Sequence, residues 1–225
     1  RQRTRLRSGL VITQVALSML MLACAGLFLR ALSHAAQLSP GFEPKGVTAM
    51  AFDLSLSGYD EPTARAFYAR LLEELRRSPA TESAALVEEL PMSIGSSSTQ
   101  MWVRGGDPNG MEVNTTSVSD GYFPSLRIPL LKGREFQVTD TSASNASLIV
   151  NETLARRMWP GLDPLAQVIS LSGPDGPWRA VVGVAKDSRY RRLAEAPRPF
   201  LYAPAAAEDA DEFTVVMRSS DPPAT

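Results

Sequence analysis

Apolar and polar positions are distributed unevenly along the chain, and the longest apolar stretch lies near its start. Residues 8–29 form a run of 22 residues without a charged side chain. As a helix rising about 1.5 Å per residue, this run extends about 33 Å, which matches the roughly 30 Å hydrocarbon core of a bilayer. The pattern predicts one transmembrane helix, and no second stretch of the sequence is long and apolar enough for another.

The pattern changes after the first 46 residues to short alternating and helical segments. Alternation over residues 47–57 predicts a strand that ends before Gly58. Asp60 is a predicted N-cap, and apolar residues at helical spacing follow it until the stop at Pro79. With a second strand at residues 83–90, this order predicts a β-α-β unit whose two strands pair in parallel.

A Gly/Ser-rich break at residues 91–98 is followed by a series of short strand-like runs. Their even spacing predicts a mostly antiparallel subdomain that contains one helix, capped by Asn151 and ended at Pro160. A last strand is predicted at residues 213–218. The other runs are residues 99–104, 112–119, 130–135, 147–150, 167–171, 178–185 and 200–202.

Together these elements predict an α+β protein. An N-terminal transmembrane helix is followed by a two-lobed extracytoplasmic domain, in which a β-α-β lobe carries an inserted, mostly antiparallel β lobe. Because no helix follows the last strand, we expect the sequence to be a fragment of a longer protein. The predicted divisions are 1–32 for the arginine-rich end and membrane helix, 33–46 for a turn-rich connector, 47–90 for the first half of the β-α-β lobe, 91–205 for the inserted lobe and 206–225 for the strand returning to the first lobe.

The distribution of charge predicts the orientation in the membrane. The first 32 residues carry five basic and no acidic residues, which leaves 18 basic against 24 acidic residues in the remainder. Four of the five precede the apolar stretch, so the positive-inside bias predicts a cytoplasmic N-terminus and an exported domain. The acidic remainder lacks the basic surface that nucleic acids require, and no nucleic-acid partner is expected. The predicted membrane-boundary residues are Arg1, Arg3, Arg5, Arg7 and Arg30.

Arginines ahead of an apolar stretch also occur in signal peptides and lipoproteins. Cys24, the only cysteine, follows Ala23 much as in a lipoprotein processing site. A signal core has about 7–15 residues, however, and here the apolar run continues to Leu29, which favours a retained helix. Small and polar residues inside the helix are candidates for helix packing in the membrane, although Ser18 can instead bond to its own backbone. These candidates are Gln14, Ser18, Ala25 and Gly26.

The sequence contains no recognisable catalytic constellation. Its only histidine, His34, follows the apolar stretch by a few residues, and neither G-x-S-x-G nor the phosphate-binding G-x-x-x-x-G-K-[ST] motif occurs. We therefore expect no enzyme activity in this chain and no catalytic, cofactor-binding or metal-binding residues. The acidic run at residues 208–212 and the basic cluster of Arg189, Arg191 and Arg192 are interpreted as solvated loops.

A series of short motifs, in order along nearly the whole chain, resembles the MacB-like periplasmic core domain of ABC transporter permeases together with its first membrane helix. The chain departs from the family pattern at Ala166, where glycine is usual. The matching motifs are residues 10–18, 25–32, 40–42, 118–123, 131–136 with Asp140, 149–152 with Leu154 and Ala155, 182–187 and 199–204.

The resemblance implies a permease subunit of the bacterial inner membrane with four membrane helices. It also implies that the exported domain lies between the first and second of these helices and that an ABC ATPase subunit or fused domain hydrolyses ATP inside the cell. A homodimer or heterodimer of permeases and a periplasmic partner protein are also implied. We expect the domain to transmit ATP-driven motion for the export or extraction of a substrate. The alternative is a binding or sensing module tethered by a single span, with a lipoprotein as the third choice.

Overall fold

The computed structural model describes residues 2–37, 39–54, 56, 58–93, 95, 97–141, 147–192, 195–205 and 212–220. The chain divides into two compact units, Arg1–Ser39 and Pro40–Thr225. The second unit is called the domain below. Of the residues singled out in the sequence, Arg1 and residues 208–211 of the acidic run lie outside the described residues.

The first unit contains a single helix, α1, at Gln2–Gln37. Its part at Gly9–Ser33 is long and apolar enough to cross a membrane, and none of its apolar window is buried. The helix continues past residue 32 into the segment predicted as a turn-rich connector. The residues that follow Ser33 include the good helix former alanine, and the first proline of the chain is Pro40, which limits how far a helix can extend.

The domain begins with a strand, a helix and a second strand: β1 at Val47–Asp53, α2 at Glu61–Arg77 and β2 at Thr81–Val87. The predicted cap of α2 is confirmed, since the Asp60 side chain accepts a hydrogen bond from the Thr63 amide at 3.0 Å. The predicted direct pairing of the two strands is wrong. Strand β10, at Glu212–Ser219, lies between β1 and β2 and is antiparallel to both. Antiparallel ladders are slightly more stable per residue than parallel ones, and this arrangement supplies two of them.

The remaining strands extend the same sheet. β9 pairs with both β6 and β4, so that β4, β3, β7, β8, β6 and β9 close into a ring, called the barrel below. Most of these pairings are antiparallel, as predicted, whereas β4 with β9 and β6 with β8 are parallel. The elements are β3 (Ser97–Val103), β4 (Met111–Val118), α3 (Tyr122–Leu126), β5 (Leu130–Gly133), β6 (Ser147–Asn151), α4 (Glu152–Met158), β7 (Val168–Ser170), β8 (Trp178–Ala185) and β9 (Phe200–Pro204).

Three hydrophobic clusters hold the domain together. One lies between α2 and the strands β1, β2 and β10, and one is formed by barrel strands with α4. The domain thus has two parts, one formed by α2 with β1, β2 and β10 and the other by the barrel. The third cluster joins them, because it includes Val87 of β2 and Val216 of β10 as well as Ile149 and Tyr202 of the barrel. By contrast, the described ladder between β2 and β4 has the single residue pair Val87 and Val118. Hydrogen bonds between residues 86–89 and 116–119 supplement this packing.

Candidate functional site

The chain enters the domain through residues 40–46, called the junction segment below. Its backbone is hydrogen-bonded to three separate places in the domain. The Arg189 amide donates to the Pro40 carbonyl oxygen at 2.8 Å, and the Glu43 amide donates to the Leu126 carbonyl oxygen at 2.8 Å. The Ser219 amide donates to the Gly46 carbonyl oxygen at 3.0 Å. The loop after β8, the end of α3 and the end of β10 thus all hold this segment.

Arg218 of β10 makes the densest set of contacts with the junction segment. Its side chain lies among buried groups, and the residue is only 2% exposed. Its Nε donates to the Ser125 carbonyl oxygen at 2.8 Å. Its Nη1 donates to the Lys45 carbonyl oxygen at 2.7 Å, and its Nη2 donates to the Glu43 carbonyl oxygen at 2.6 Å. One guanidinium therefore joins β10, α3 and the junction segment.

The chemistry of arginine suits this position. Burial lowers the pKa of Arg218, and the neighbouring charge of Arg127 lowers it further. An arginine side chain nevertheless stays protonated in proteins, and its planar fork directs several N–H groups in fixed directions. A lysine ammonium is a compact point charge on a flexible stem and cannot reproduce this geometry.

A second, exposed contact supports the same segment from outside. Arg127, in the left-handed region at φ 50°, donates through Nη1 to Glu43 Oε2 at 2.9 Å and through Nη2 to Glu82 Oε2 at 3.4 Å. The hydrogen bond from Arg127 lowers the pKa of Glu43 below its usual value. About half of the Arg127 side chain is exposed, so water and salt screen this pair.

The beginning of the junction segment requires glycine. Gly41 has φ +83°, and a Cβ atom there would overlap the Asp187 carbonyl oxygen and lie 2.8 Å from Ser188 Cα. The next residue, Phe42, packs on the hydrophobic cluster that joins the two parts of the domain. Close approach at Gly41 and packing at Phe42 therefore seat the segment against the loop after β8.

That loop is in turn fixed to the barrel. Asp187 Oδ1 accepts hydrogen bonds from Asn151 Nδ2 at 2.7 Å and from the Thr153 amide at 2.9 Å, and its Oδ2 accepts one from Thr153 Oγ1 at 2.7 Å. Asn151 Oδ1 also accepts from the amides of Leu154 and Phe200, both at 2.9 Å. Asn151, predicted as the cap of α4, thus links α4 and β9 to the loop that holds the junction segment.

Tyr190 of the loop packs against two fully buried tyrosines, Tyr122 and Tyr202. Tyr190 Oη donates to Tyr202 Oη at 3.2 Å and is 3.1 Å from Tyr122 Oη. Burial raises the pKa of all three phenols, so they stay neutral and uncharged at ordinary pH. Tyr190 also stacks on Phe200 with ring centroids 3.8 Å apart. These contacts connect α3, the loop and β9 in one neutral network.

Two open grooves lie elsewhere on the domain. One, of about 460 Å³, runs along α2 beside Phe67 and Leu71, and the other, of about 480 Å³, lies beside α4 at Trp159 and Leu162. Among the residues that the structure describes, no group of three or more His, Cys, Asp or Glu side chains could hold a metal ion. The polar contacts around the junction segment hold a piece of backbone.

The sequence-predicted site residues all belong to the first unit. Arg3, Arg5 and Arg7 lie in the first turns of α1, before the apolar part, and Arg30 lies on its exposed surface. The packing candidates Gln14, Ser18, Ala25 and Gly26 are exposed on α1, with open space around the Gly26 backbone. Their roles at the membrane boundary and in helix packing stay predictions.

The residues around the junction segment were missed, although one signal in the sequence pointed to them. Arg218 shares the inward-facing alternation of β10 with Val216, and a charged residue in such a position needs buried partners. Its partners Glu43, Lys45 and Ser125 are far away in sequence. Their identity therefore depends on the fold.

Comparisons with known proteins agree with the motif pattern. The family model described as the MacB-like periplasmic core domain matches residues 12–225. The chain is similar to the periplasmic region of MacB from Actinobacillus actinomycetemcomitans, with 16% identity, a TM-score of 0.52 and coverage of 84% of this chain and 80% of that one. It is also similar to the extracellular domain of the noncanonic ABC-type transporter YknZ from Gram-positive bacteria, with 13% identity, a TM-score of 0.45 and coverage of 79% and 83%.

A search of curated protein sequences gives no significant match. The likeness to the MacB periplasmic region shows a shared fold, and the family model extends from within α1 to the last residue. The chain belongs to the MacB-like periplasmic core domain family.

Proposed function

We propose that this domain transmits ATP-driven motion of an ABC transporter permease from the membrane to the extracytoplasmic side. The permease acts with an ABC ATPase subunit or fused domain, as a homodimer or heterodimer, and with a periplasmic partner protein. Its N-terminus lies in the cytoplasm and the domain lies outside the bacterial inner membrane. The motion serves the export or extraction of a substrate across or from that membrane.

The observation that carries this proposal is the attachment of the junction segment to both parts of the domain. Arg218 ties its carbonyl oxygens to β10 and α3, and Arg189 with Asp187 ties its beginning to the barrel. A displacement applied at Pro40 is therefore passed to both parts through short, directed contacts. A flexible tether, which a sensing module would use, needs no such attachment.

Transmission requires that the ATPase and the domain each have two arrangements whose stabilities depend on one another. A ligand shifts such an equilibrium only by its differential affinity for the two arrangements. Of the connections between the membrane and the domain, the one at Ser39 and Pro40 lies within this sequence, and the proposal assigns the coupling to it. Loosening that connection should abolish coupling without unfolding the domain.

The test is an insertion of Gly-Ser-Gly-Ser between Ser39 and Pro40 in the full-length permease bound to its ATPase. Hydrogen exchange of the domain is measured in nanodiscs without nucleotide and after trapping with ATP and vanadate. We expect a nucleotide-dependent change in the junction segment and in α3 of the unmodified protein, and none in the insertion variant. The matched control places the same insertion between Gly105 and Gly106, in the turn between β3 and β4.

The control insertion should retain the nucleotide-dependent change. An equal change in the Ser39 insertion variant would contradict transmission through this connection. Affinity capture of the full-length protein provides an independent check, since the proposal requires an ATPase in the complex. Repeated capture without an ATPase would favour the tethered binding or sensing module.

A further inference from the structure

The loop that holds the junction segment is also the most basic stretch of the domain. Residues 186–192 contain Lys186, Arg189, Arg191 and Arg192 and a single acid, Asp187. The sequence after residue 32 is acidic as a whole, with 18 basic and 24 acidic residues. A concentration of positive charge on such a protein indicates an anionic binding partner.

The acidic side chains in and next to this loop, Asp187 and Glu195, accept hydrogen bonds from other groups of the domain. Asp187 accepts three hydrogen bonds from Asn151 and Thr153, and it is only partly exposed. Glu195 accepts the backbone amides of Tyr190 and Arg191. Lys186 and Arg192 are exposed and Arg189 is partly exposed. Within the described part of the chain, no carboxylate lies at ion-pair distance from these three basic side chains.

The covalent chain limits the distance between this loop and the membrane. The apolar part of α1 ends at Ser33, and Pro40 follows it by seven residues. The carbonyl oxygen of Pro40 accepts a hydrogen bond from the Arg189 amide of the loop. Even a fully extended chain of that length reaches only about 25 Å, and with helix up to Gln37 the reach is about 16 Å. The polar headgroup layer occupies roughly 5–8 Å of that distance. The chain is therefore short enough to bring the loop to the lipid headgroups.

We propose that residues 186–192 bind the phosphate groups of anionic lipids at the membrane surface next to α1, through Lys186, Arg189 and Arg192. Guanidinium groups bind phosphate oxygens in a bidentate manner, and ammonium groups bind them as point charges. The acidic remainder of the domain is repelled by the same surface. Lipid binding would thus hold the junction segment against the membrane. The proposal requires α1 to span the bilayer, and it does not depend on the transmission of motion.

Lys186 provides its own reporter, because its amine can be acetylated by an uncharged N-hydroxysuccinimide ester. The full chain is placed in nanodiscs of phosphatidylcholine or of phosphatidylcholine with phosphatidylglycerol, and acetylation of Lys186 is followed by mass spectrometry. We expect acetylation to be about fivefold slower in the anionic discs, as for a basic group held at a charged surface. High salt should remove the difference because it screens the surface charge. Equal rates in the two discs would overturn the proposal.

Two double variants, each of which removes two positive charges, test whether the effect depends on the charge of this loop or on the total charge of the domain. The double substitution Arg189→Gln with Arg192→Gln should reduce the difference in Lys186 acetylation rate between the neutral and anionic discs to less than about twofold. The matched control, Arg104→Gln with Arg179→Gln, removes the same charge near Trp178, at the far end of β8, and should keep the full difference. If both double variants reduced the difference in acetylation rate equally, binding at this loop would be contradicted.

A separate arm distinguishes lipid phosphate from free phosphate. Inorganic phosphate added to the phosphatidylcholine discs should leave acetylation of Lys186 unchanged. If inorganic phosphate alone slowed the reaction as much as phosphatidylglycerol does, the site would belong to a free anion and the lipid proposal would be wrong. The comparison of discs uses the unmodified chain, so the test does not depend on the folding of any variant.

Discussion

The apolar side chains of α1 and those of the domain differ in what surrounds them. On α1, Leu10, Leu22 and Phe28 are 71%, 73% and 68% exposed, and the apolar surface continues around the helix. In the domain, by contrast, Ile149 and Leu201 are completely buried. A helix that is apolar all round needs an apolar solvent, whereas the domain buries its apolar side chains in its own hydrophobic core. We therefore expect substitutions in α1 to affect membrane insertion and substitutions in the domain to affect its unfolding. The few residues around the connection between the two units should have large effects.

The largest effect is expected from Arg218→Met, which breaks the domain and spares α1. The substitution keeps much of the apolar bulk but leaves the carbonyl oxygens of Glu43, Lys45 and Ser125 without their donor. At about 1–3 kcal/mol for each buried unsatisfied group, we expect a loss of about 4 kcal/mol in the free energy of unfolding. Urea denaturation followed by circular dichroism measures it. An unchanged unfolding midpoint would show that these contacts do not hold the junction segment.

The converse change, Leu20→Arg, should affect α1 and spare the domain. Leu20 lies near the middle of Gly9–Ser33, where an arginine costs about 3 kcal/mol for insertion into a membrane. We expect a larger fraction of the protein to be extracted from membranes at alkaline pH, with an unchanged urea midpoint of the domain. The control is Leu20→Ala, which keeps the helix and adds no charge. Equal extraction of the two variants would argue against a membrane span.

A smaller effect, dependent on pH, is expected from Asp140→Asn in the domain. Asp140 is fully buried and accepts hydrogen bonds from Arg134, the Gln137 amide and Ser147. The hydrogen bond from Arg134 lowers the pKa of Asp140 to about 2, against the opposing effect of burial. The folded pKa lies below the ordinary value of 3.8, so ionised Asp140 stabilises the domain above that value, by about 2 kcal/mol.

This stabilisation should disappear as the pH falls from about 4 through 2, because the carboxylate becomes protonated in both states. Urea titrations of the unmodified protein and of Asp140→Asn should therefore differ at neutral pH and converge in acid. A difference that stayed constant over this range would mean that the Asp140 charge is not the cause.

The smallest effect is expected from Arg127→Gln at the same junction segment. Arg127 contacts Glu43 and Glu82 in an exposed position, where screening and side-chain entropy cancel most of the attraction. Its urea midpoint should shift less than that of Arg218→Met or Asp140→Asn, and added salt should abolish the shift. A loss comparable with that of Arg218→Met would show that the exposed pair is the main attachment.

The difference between these two arginines also shows how far the sequence could be interpreted. Helix α2, its Asp60 cap and the strand at residues 213–218 were predictable because their signals are local. The insertion of β10 between β1 and β2 was not, since the pairing joins residues more than 120 positions apart. The three carbonyl partners of Arg218 likewise belong to segments that only the fold brings together.

The central claim, that nucleotide-driven motion reaches the domain, can be tested directly by a distance between two copies of it. Ser172 is exposed in the turn between β7 and β8. Ser172→Cys, in a permease whose native cysteines, Cys24 among them, are replaced by alanine, gives one spin label per permease. Double electron–electron resonance then measures the distance between labels in the proposed permease dimer with its ATPase. We predict different mean distances in the nucleotide-free and vanadate-trapped complexes. Superimposable distance distributions in a complex that hydrolyses ATP would contradict the account.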